Sequence, residues 1–338
     1  MATTALPPPL AETANPAPVR PLNSVRRTSS IDVFWPDGPQ ADRLFVGRVR
    51  DYLTPSAGGP GRVCAEAAME AVLKDDKTIV SLKADPAPAN IGELAGARAG
   101  GHLRMIVKER WPELIEQGMP LYLVLDDLSG TALVSPTAKI QLDPDWSSKL
   151  RREMSPEQYQ AFIARRIDIC WGLAEGNSGV TPGGARPTLA SADAGELRNA
   201  EDPEGWHEFP DREGPTFRRA RRIDVQRHEA TGRLMVNSSF QDSIRRRDGT
   251  RGGIHEYLLD AEIDARTLEI LTITPEPRIL PYPECPGAVH NTQRLLGARI
   301  TDIRDQVLAN LRGPEGCTHL NDALRALAEV PRLAAYLD

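Results

Sequence analysis

"RRIDVQRHEATGRLMVNSSFQDS" (Arg221–Ser243) sets two runs of alternating apolar and polar residues on either side of "EATG". Period-two alternation is the mark of a half-buried strand, and the Gly-containing spacer reads as a turn, so the stretch is a β-hairpin. A second hairpin follows in "IHEYLLDAEIDARTLEILTITPEP" (Ile254–Pro277), turning at "DARTLE". Its first strand puts His255, Tyr257 and Leu259 on one face and Glu256, Leu258 and Asp260 on the other. An imidazole and a phenol then lie about 7 Å apart on one surface, at roughly 3.3 Å of rise per residue.

The same programme is legible upstream. In "RRTSSIDVFWPDG" (Arg26–Gly38) residues Ser30–Trp35 read as a strand closed by a Pro-Asp-Gly turn, and "RLFVGRVRDYL" (Arg43–Leu53) as its partner. "RVCAEAAMEAVLKDD" reads as a helix or a helix–strand boundary, "KTIVSLKAD" as a strand, and "NIGELAGARAGGHLRMIVKERW" as a turn and then a helix. "LYLVLDDLSGTALVS" suits a buried strand or a helix start. "SPEQYQAFIARRIDICWGLAEG" is expected to be an amphipathic helix with Ser155 as cap, Pro156 at its first position and Glu157 in its first turn. "HNTQRLLGARITDIRDQVLANLRG" (His290–Gly313) reads as one long helix. In "GPEGCTHLNDALRAL" (Gly313–Leu327), Leu320, Ala323, Leu324 and Leu327 share a helix face, and Thr318 sits where an N-cap would go.

Three short matches recur in order at nearly constant spacing: "SIDV" with "RIDV", "LAGAR" with "LLGAR", and "LDD" ending at Asp127 with "LND" ending at Asp322. They suggest a duplication that would place Val33 over Val225 and Arg98 over Arg299. The expected fold is α+β, two pseudo-symmetric units of antiparallel hairpins plus helices. Residues 1–24 form a disordered Pro/Ala-rich arm, 25–175 the first unit, 176–215 a linker, and 216–338 the second unit. The first unit has no Cys-Thr-His triplet, so the second would carry most of the chemistry.

Composition narrows the function. The chain has 338 residues, a net charge of −6 and 5% aromatic residues. The arginine clusters "FRRARRIDVQR" and "SIRRRDG" therefore read as solvated faces rather than a nucleic-acid surface. The cysteines Cys64, Cys170, Cys285 and Cys317 are too sparse for a disulfide scaffold, which points to a reducing cytoplasm. No apolar run reaches the roughly 18 to 20 residues that span a bilayer, and the N-terminus lacks the pattern of a signal peptide. Dinucleotide, Walker A, serine-hydrolase elbow and zincin motifs are absent.

Two site readings remain. Cys285, His290, Cys317 and His319 could bind zinc, although Cys317-x-His319 is tight for a knuckle. The thiols could equally be apolar fillers, or Cys317 a thiol activated at a helix N-terminus. The second reading is acid–base chemistry by His255, Tyr257, Tyr282, His319, Asp322 and Asp127, with Asp322 one turn from His319 and able to orient it. Trp35 and Arg325 are read as substrate contacts. No cofactor is expected, zinc being the alternative. The partner is expected to be a small aromatic molecule rather than nucleic acid or membrane, with homo-oligomers possible.

The segments "RRIDV", "HEYLLDAEID", "LPYPECPGA", "LLGARITDIR" and "GCTHLNDALRAL" resemble a bacterial family known as a domain of unknown function, DUF2889. "RRTSSIDVFWP" and "LYLVLDDLSG" resemble its longer members. The resemblance implies a setting in the catabolism of aromatic carbon sources, and a link to lyases that release formaldehyde from lignin-derived aromatic dimers. The expected function is thus a cofactor-independent lyase, with a ligand-binding or assembly protein and an acyl-CoA hydrolase or isomerase as alternatives.

Overall fold

The computed structural model describes residues 12–338 except 57–58, 144, 146–148, 150–151, 182–191, 213 and 215. The hairpins close into one eight-stranded antiparallel sheet. Its strands are β1 Ser24–Phe34, β2 Arg43–Thr54, β3 Arg62–Leu73, β4 Ile79–Asp85, β5 Phe217–Arg227, β6 Leu234–Arg245, β7 Arg251–Ile263 and β8 Ile270–Ile279. They lie in the order β4-β3-β2-β1-β5-β6-β7-β8. Each half contributes a four-strand meander, and β1 meets β5 at the centre with Ser29 opposite Arg221.

Helices cover one face. They are α1 Gly101–Arg110, α2 Pro112–Glu116, α3 Pro120–Val134, α4 Lys139–Leu142, α5 Pro156–Ala164, α6 Ile303–Asn310, α7 Thr318–Ala326 and α8 Val330–Ala334. Two apolar clusters result, and each borrows across the seam. Val25 and Leu123 join the core of the second half, while Phe217, Ile244 and Ile254 join that of the first.

The other face carries extended chain. Thr13 and Asn15 hydrogen-bond the carbonyl of Ala194, and Ala17, Leu197, Trp206 and Ala220 form a small third core. Thus residues 12–23 of the segment expected to be a loose arm lie on the sheet, and residues 1–11 fall outside the described residues. The described part of the expected linker is also tied down: Ala194 N donates to Arg251 O at 2.9 Å and Gly253 N to Ala192 O at 3.0 Å. His207, in that segment, is buried between Thr28 and Ser30, 2.9 Å from each hydroxyl.

Some expectations change. "RVCAEAAMEAVL" is strand β3, because its alanines and Met69 alternate between the core and the opposite face rather than lining a helix. "LYLVLDDLSGTALV" is helix α3, and all of it except Gly130 and Leu133 is buried, so no amphipathic period marks it. The capping box at Ser155 forms with Gln158, but α5 stops at Ala164 and buries none of its residues.

The long helix expected over 290–313 is interrupted at "LLGAR". Gly297 has φ +77°, and its N–H and the Ala298 carbonyl pair with Ile270 at 2.9 Å, which pulls the backbone out of helix. The upstream "LAGAR" does the same: Gly96 has φ +87°, and Gly96 N and Ala97 O pair with Ile79 at 2.8 Å.

Candidate functional site

The site grows from the strand faces that look toward the helices. On β5 that face carries Phe217, Arg219, Arg221 and Ile223, on β6 Phe240 and Asp242, and on β7 His255 and Tyr257. The register sets Asp242 beside both Arg219 and His255. Arg219 grips Asp242 with two hydrogen bonds, Nε to Oδ1 at 2.8 Å and Nη2 to Oδ2 at 2.9 Å. His255 Nδ1 lies 3.1 Å from the same Oδ2. α7 then lays His319 flat on His255, with ring centroids 3.4 Å apart and planes 18° from parallel. His319 Nε2 is 3.9 Å from Asp242 Oδ2.

An ionic network extends from this point. Arg219 Nη1 donates to Asp322 Oδ2 at 3.0 Å, and Arg325 Nη2 to Asp322 Oδ1 at 2.5 Å. Arg221 holds Asp127 through two contacts of 2.6 Å. Arg104 bonds Asp126 and approaches Asp322 to 3.4 Å. Four carboxylates (Asp126, Asp127, Asp242, Asp322) face four guanidiniums (Arg104, Arg219, Arg221, Arg325), and the group is electroneutral with neutral histidines. A related fork occurs in the first half, where Arg27 grips Asp51 at 2.6 and 2.7 Å and reaches Glu329 at 2.7 Å. Ala65 stands opposite Asp51 there, whereas His255 stands opposite Asp242, so the imidazole belongs to one half only.

Burial alone would raise the Asp242 carboxyl, but Arg219 and the His255 hydrogen bond outweigh it and hold it well below the usual carboxylate range. Asp322 is held low in the same way by Arg325, Arg219 and Arg104. Burial, and then the adjacent His255, push His319 well below the ordinary histidine value. Burial, and then Arg50 and Arg218, do the same to His207. Both imidazoles stay neutral in the fold, while the unfolded chain protonates them below about pH 6.5. The unfolded state then binds more protons, so the stability these groups contribute is complete above about pH 6.5 and is lost as pH falls below it. Thermal melts should give a lower Tm at pH 5 than at pH 7.5. His207→Gln should flatten that slope, and an unchanged slope would place the proton uptake elsewhere.

The expected residues sort as follows. His255 and His319 come together, and Asp322, Asp127 and Arg325 belong to the adjoining network. Asp322 does not orient His319, because its oxygens are taken by Arg219 and Arg325; Asp242 is the neighbouring carboxylate instead. Tyr257 is fully buried, with its hydroxyl donating to Cys317 Sγ at 3.5 Å, and burial, then Cys317, pushes its phenol well up. Tyr282 accepts from Arg166 at 3.0 Å, and Trp35 packs in the first core. Thr318 is the first residue of α7, not its cap; Cys317 holds the cap position and makes no side-chain cap. Burial raises the Cys317 thiol, overriding the helix N-terminus.

Arg219, Arg221 and Arg222 are 1%, 2% and 2% exposed, which overturns their reading as a solvated face: Arg219 and Arg221 are neutralised by Asp242 and Asp127, which lie far away in sequence, and Arg222 by Asp224 on its own strand. Among the described residues, the group that brings three ligand atoms within 4.8 Å is Asp242, His255 and His319, not the cysteine set. Two imidazoles and a carboxylate are a chemically suitable donor set for zinc or iron. Arg219 already neutralises the carboxylate, however, and a dication would add uncompensated charge to a balanced cluster. Elemental analysis of protein purified without chelator should find well under one metal per chain.

No helix is long and apolar enough among the described residues to cross a membrane. No curated protein and no solved structure matches the chain significantly. The span from β5 to α8, residues 217–332, carries Asp242, both histidines and three of the four guanidiniums. That same span matches the family described as "Protein of unknown function (DUF2889)".

Proposed function

We propose that the chain is a carbon–carbon lyase that removes a hydroxymethyl group from an aromatic alcohol as formaldehyde. The observation that carries this reading is the 3.1 Å contact of His255 Nδ1 with an Asp242 carboxylate fixed by Arg219. A carboxylate so placed selects the tautomer with the proton on Nδ1 and leaves Nε2 as the base. Nε2 has no hydrogen-bond partner among the described residues. In the reaction Nε2 takes the hydroxyl proton, the bond to the hydroxymethyl carbon breaks, and formaldehyde leaves. The electron pair passes into the conjugated aromatic partner, which then takes the proton back from the imidazolium. The aromatic substrate itself rests on the resemblance of "HEYLLDAEID" and "GCTHLNDALRAL".

The test is incubation of the protein with a panel of phenolic aryl compounds bearing a hydroxymethyl group, in deuterium oxide, with formaldehyde trapped and measured. One formaldehyde per turnover is expected, with one solvent deuterium on the carbon that lost it. Absence of formaldehyde from every member of the panel would overturn the reading.

A further inference from the structure

A cleft of about 360 Å³ opens between the helices of the two halves, bounded by α1 and α3 on one side and by α6 and α7 on the other. Asp322 and Arg325 of the ionic network lie on its wall, and so does Thr318, whose hydroxyl is 3.4 Å from His319 Nδ1. Two features of its lining point to a ligand.

The first is apolar. Leu133, Ile169 and Leu308 are 58%, 46% and 51% exposed, among the most exposed large apolar side chains of the fold, and all three line this cleft. They come from segments far apart in sequence, so their convergence is not the accident of one amphipathic helix. Scattered exposed leucines need no explanation, but a group lining one concave surface marks a binding site.

The second is charge. Lys77 and Arg312 reach the same cleft, and neither side chain has a carboxylate partner among the described residues. Some surface cations are paired, as in Arg110 with Glu93 and Arg294 with Glu315, but pairing is not general, and it is the convergence of Lys77 and Arg312 on one apolar-walled cleft that points to an anion. Lys77 is half-buried, and burial, then Arg98 and Arg43, lower its ammonium pKa. Arg104, Arg325 and Asp322 of the balanced network also line the wall, so the cations there without a carboxylate partner among the described residues are Lys77 and Arg312.

We infer that this cleft binds an organic anion with an apolar aromatic body, a carboxylate or phenolate, its charge on Lys77 and Arg312 and its body on Leu133, Ile169 and Leu308. This deepens the proposed function by naming the substrate's charge, and it rests on that reading only for the reaction that follows binding. A charge-assisted hydrogen bond in a partly desolvated cleft is stronger than a neutral one, so loss of the anchors should be plainly measurable as weakened binding.

The experiment uses two fluorescent probes with the same aromatic body, 1-anilinonaphthalene-8-sulfonate and the uncharged N-phenyl-1-naphthylamine. Each is titrated into the full chain and into the Lys77→Gln/Arg312→Gln and Arg312→Glu variants, whose folding is checked by their melting temperatures. Wild type should bind the sulfonate at one site and more tightly than the neutral probe. Both variants should weaken the sulfonate at least about tenfold and leave the neutral probe within about twofold. Equal affinity of wild type for both probes, or sulfonate binding unchanged in the folded variants, would overturn the inference. His255→Asn separates the two readings. If it binds the sulfonate normally and still releases formaldehyde, the base assignment fails and the anion cleft stands. If it is inactive while Lys77 and Arg312 prove irrelevant to binding, the cleft assignment fails and the base stands.

Discussion

Arg219→Met should lower the unfolding free energy by about 3 to 5 kcal/mol, read as a shift of the urea midpoint at unchanged slope. Arg219 is 1% exposed and supplies both hydrogen bonds that neutralise Asp242, together with one to Asp322. Methionine fills similar space but leaves a carboxylate in the core with only the imidazoles of His255 and His319 beside it. A loss of that size is a large part of the roughly 5 to 15 kcal/mol that holds a typical domain folded. The variant should also respond differently to acid. Without Arg219, burial dominates and the Asp242 carboxyl becomes easier to protonate, so mild acid should harm the variant less than wild type. Removing both charges in Arg219→Met/Asp242→Leu should recover much of the stability, because an apolar pair replaces a costly ionic one. A single variant as stable as wild type would mean that water or another cation reaches Asp242.

His255→Ala should lower kcat for formaldehyde release by about 10² to 10⁴, the usual contribution of a positioned base. The lower limit corresponds to about 2.7 kcal/mol of transition-state stabilisation at 1.36 kcal/mol per decade. The folded state should persist, since the ring's hydrogen-bond partner Asp242 stays neutralised by Arg219. His319→Ala removes the stacked neighbour without removing the Asp242–His255 contact, so it should cost less. If both variants kept wild-type kcat, neither ring would be the base. If both unfolded, the pair would be structural.

The hairpins of the second half could be read from sequence because their turns, "EATG" and "DARTLE", lie between strongly alternating runs. Placing His255 and Tyr257 on one face followed from the same period. The partner of His255 was harder to see. Asp242 becomes its neighbour only through the β6–β7 register, across a turn at Asp248-Gly249 that sits within an arginine-rich stretch. An Asp-Gly pair is a strong hairpin signal, and a turn there sets Asp242 opposite His255. The sequence around Arg219 and Arg221 looks like a solvated face because the carboxylates that oppose these arginines are remote, and Asp127 and Asp322 arrive from helices about 100 residues away. α3 was ambiguous because a helix buried almost all round carries no period. The "GAR" turn and the arginine fork each occur in both halves, and the further acid that approaches the fork is Asp127 at Arg219 and Glu329 at Arg27.

The seam between β1 and β5 has a consequence for shorter chains. The family span starts at Phe217, the first residue of β5, and ten consecutive positions of β5 are paired with β1. A polypeptide limited to residues 217–332 would present that whole strand as an open edge, and Arg221 would lose Asp127. Open edges of this length recruit another strand. The strand most readily at hand is a second β5, laid antiparallel about a two-fold axis near Arg221, where Ser29 now sits. A stand-alone unit of this kind would be expected to behave as a symmetric dimer, with two histidine pairs where the full chain has one.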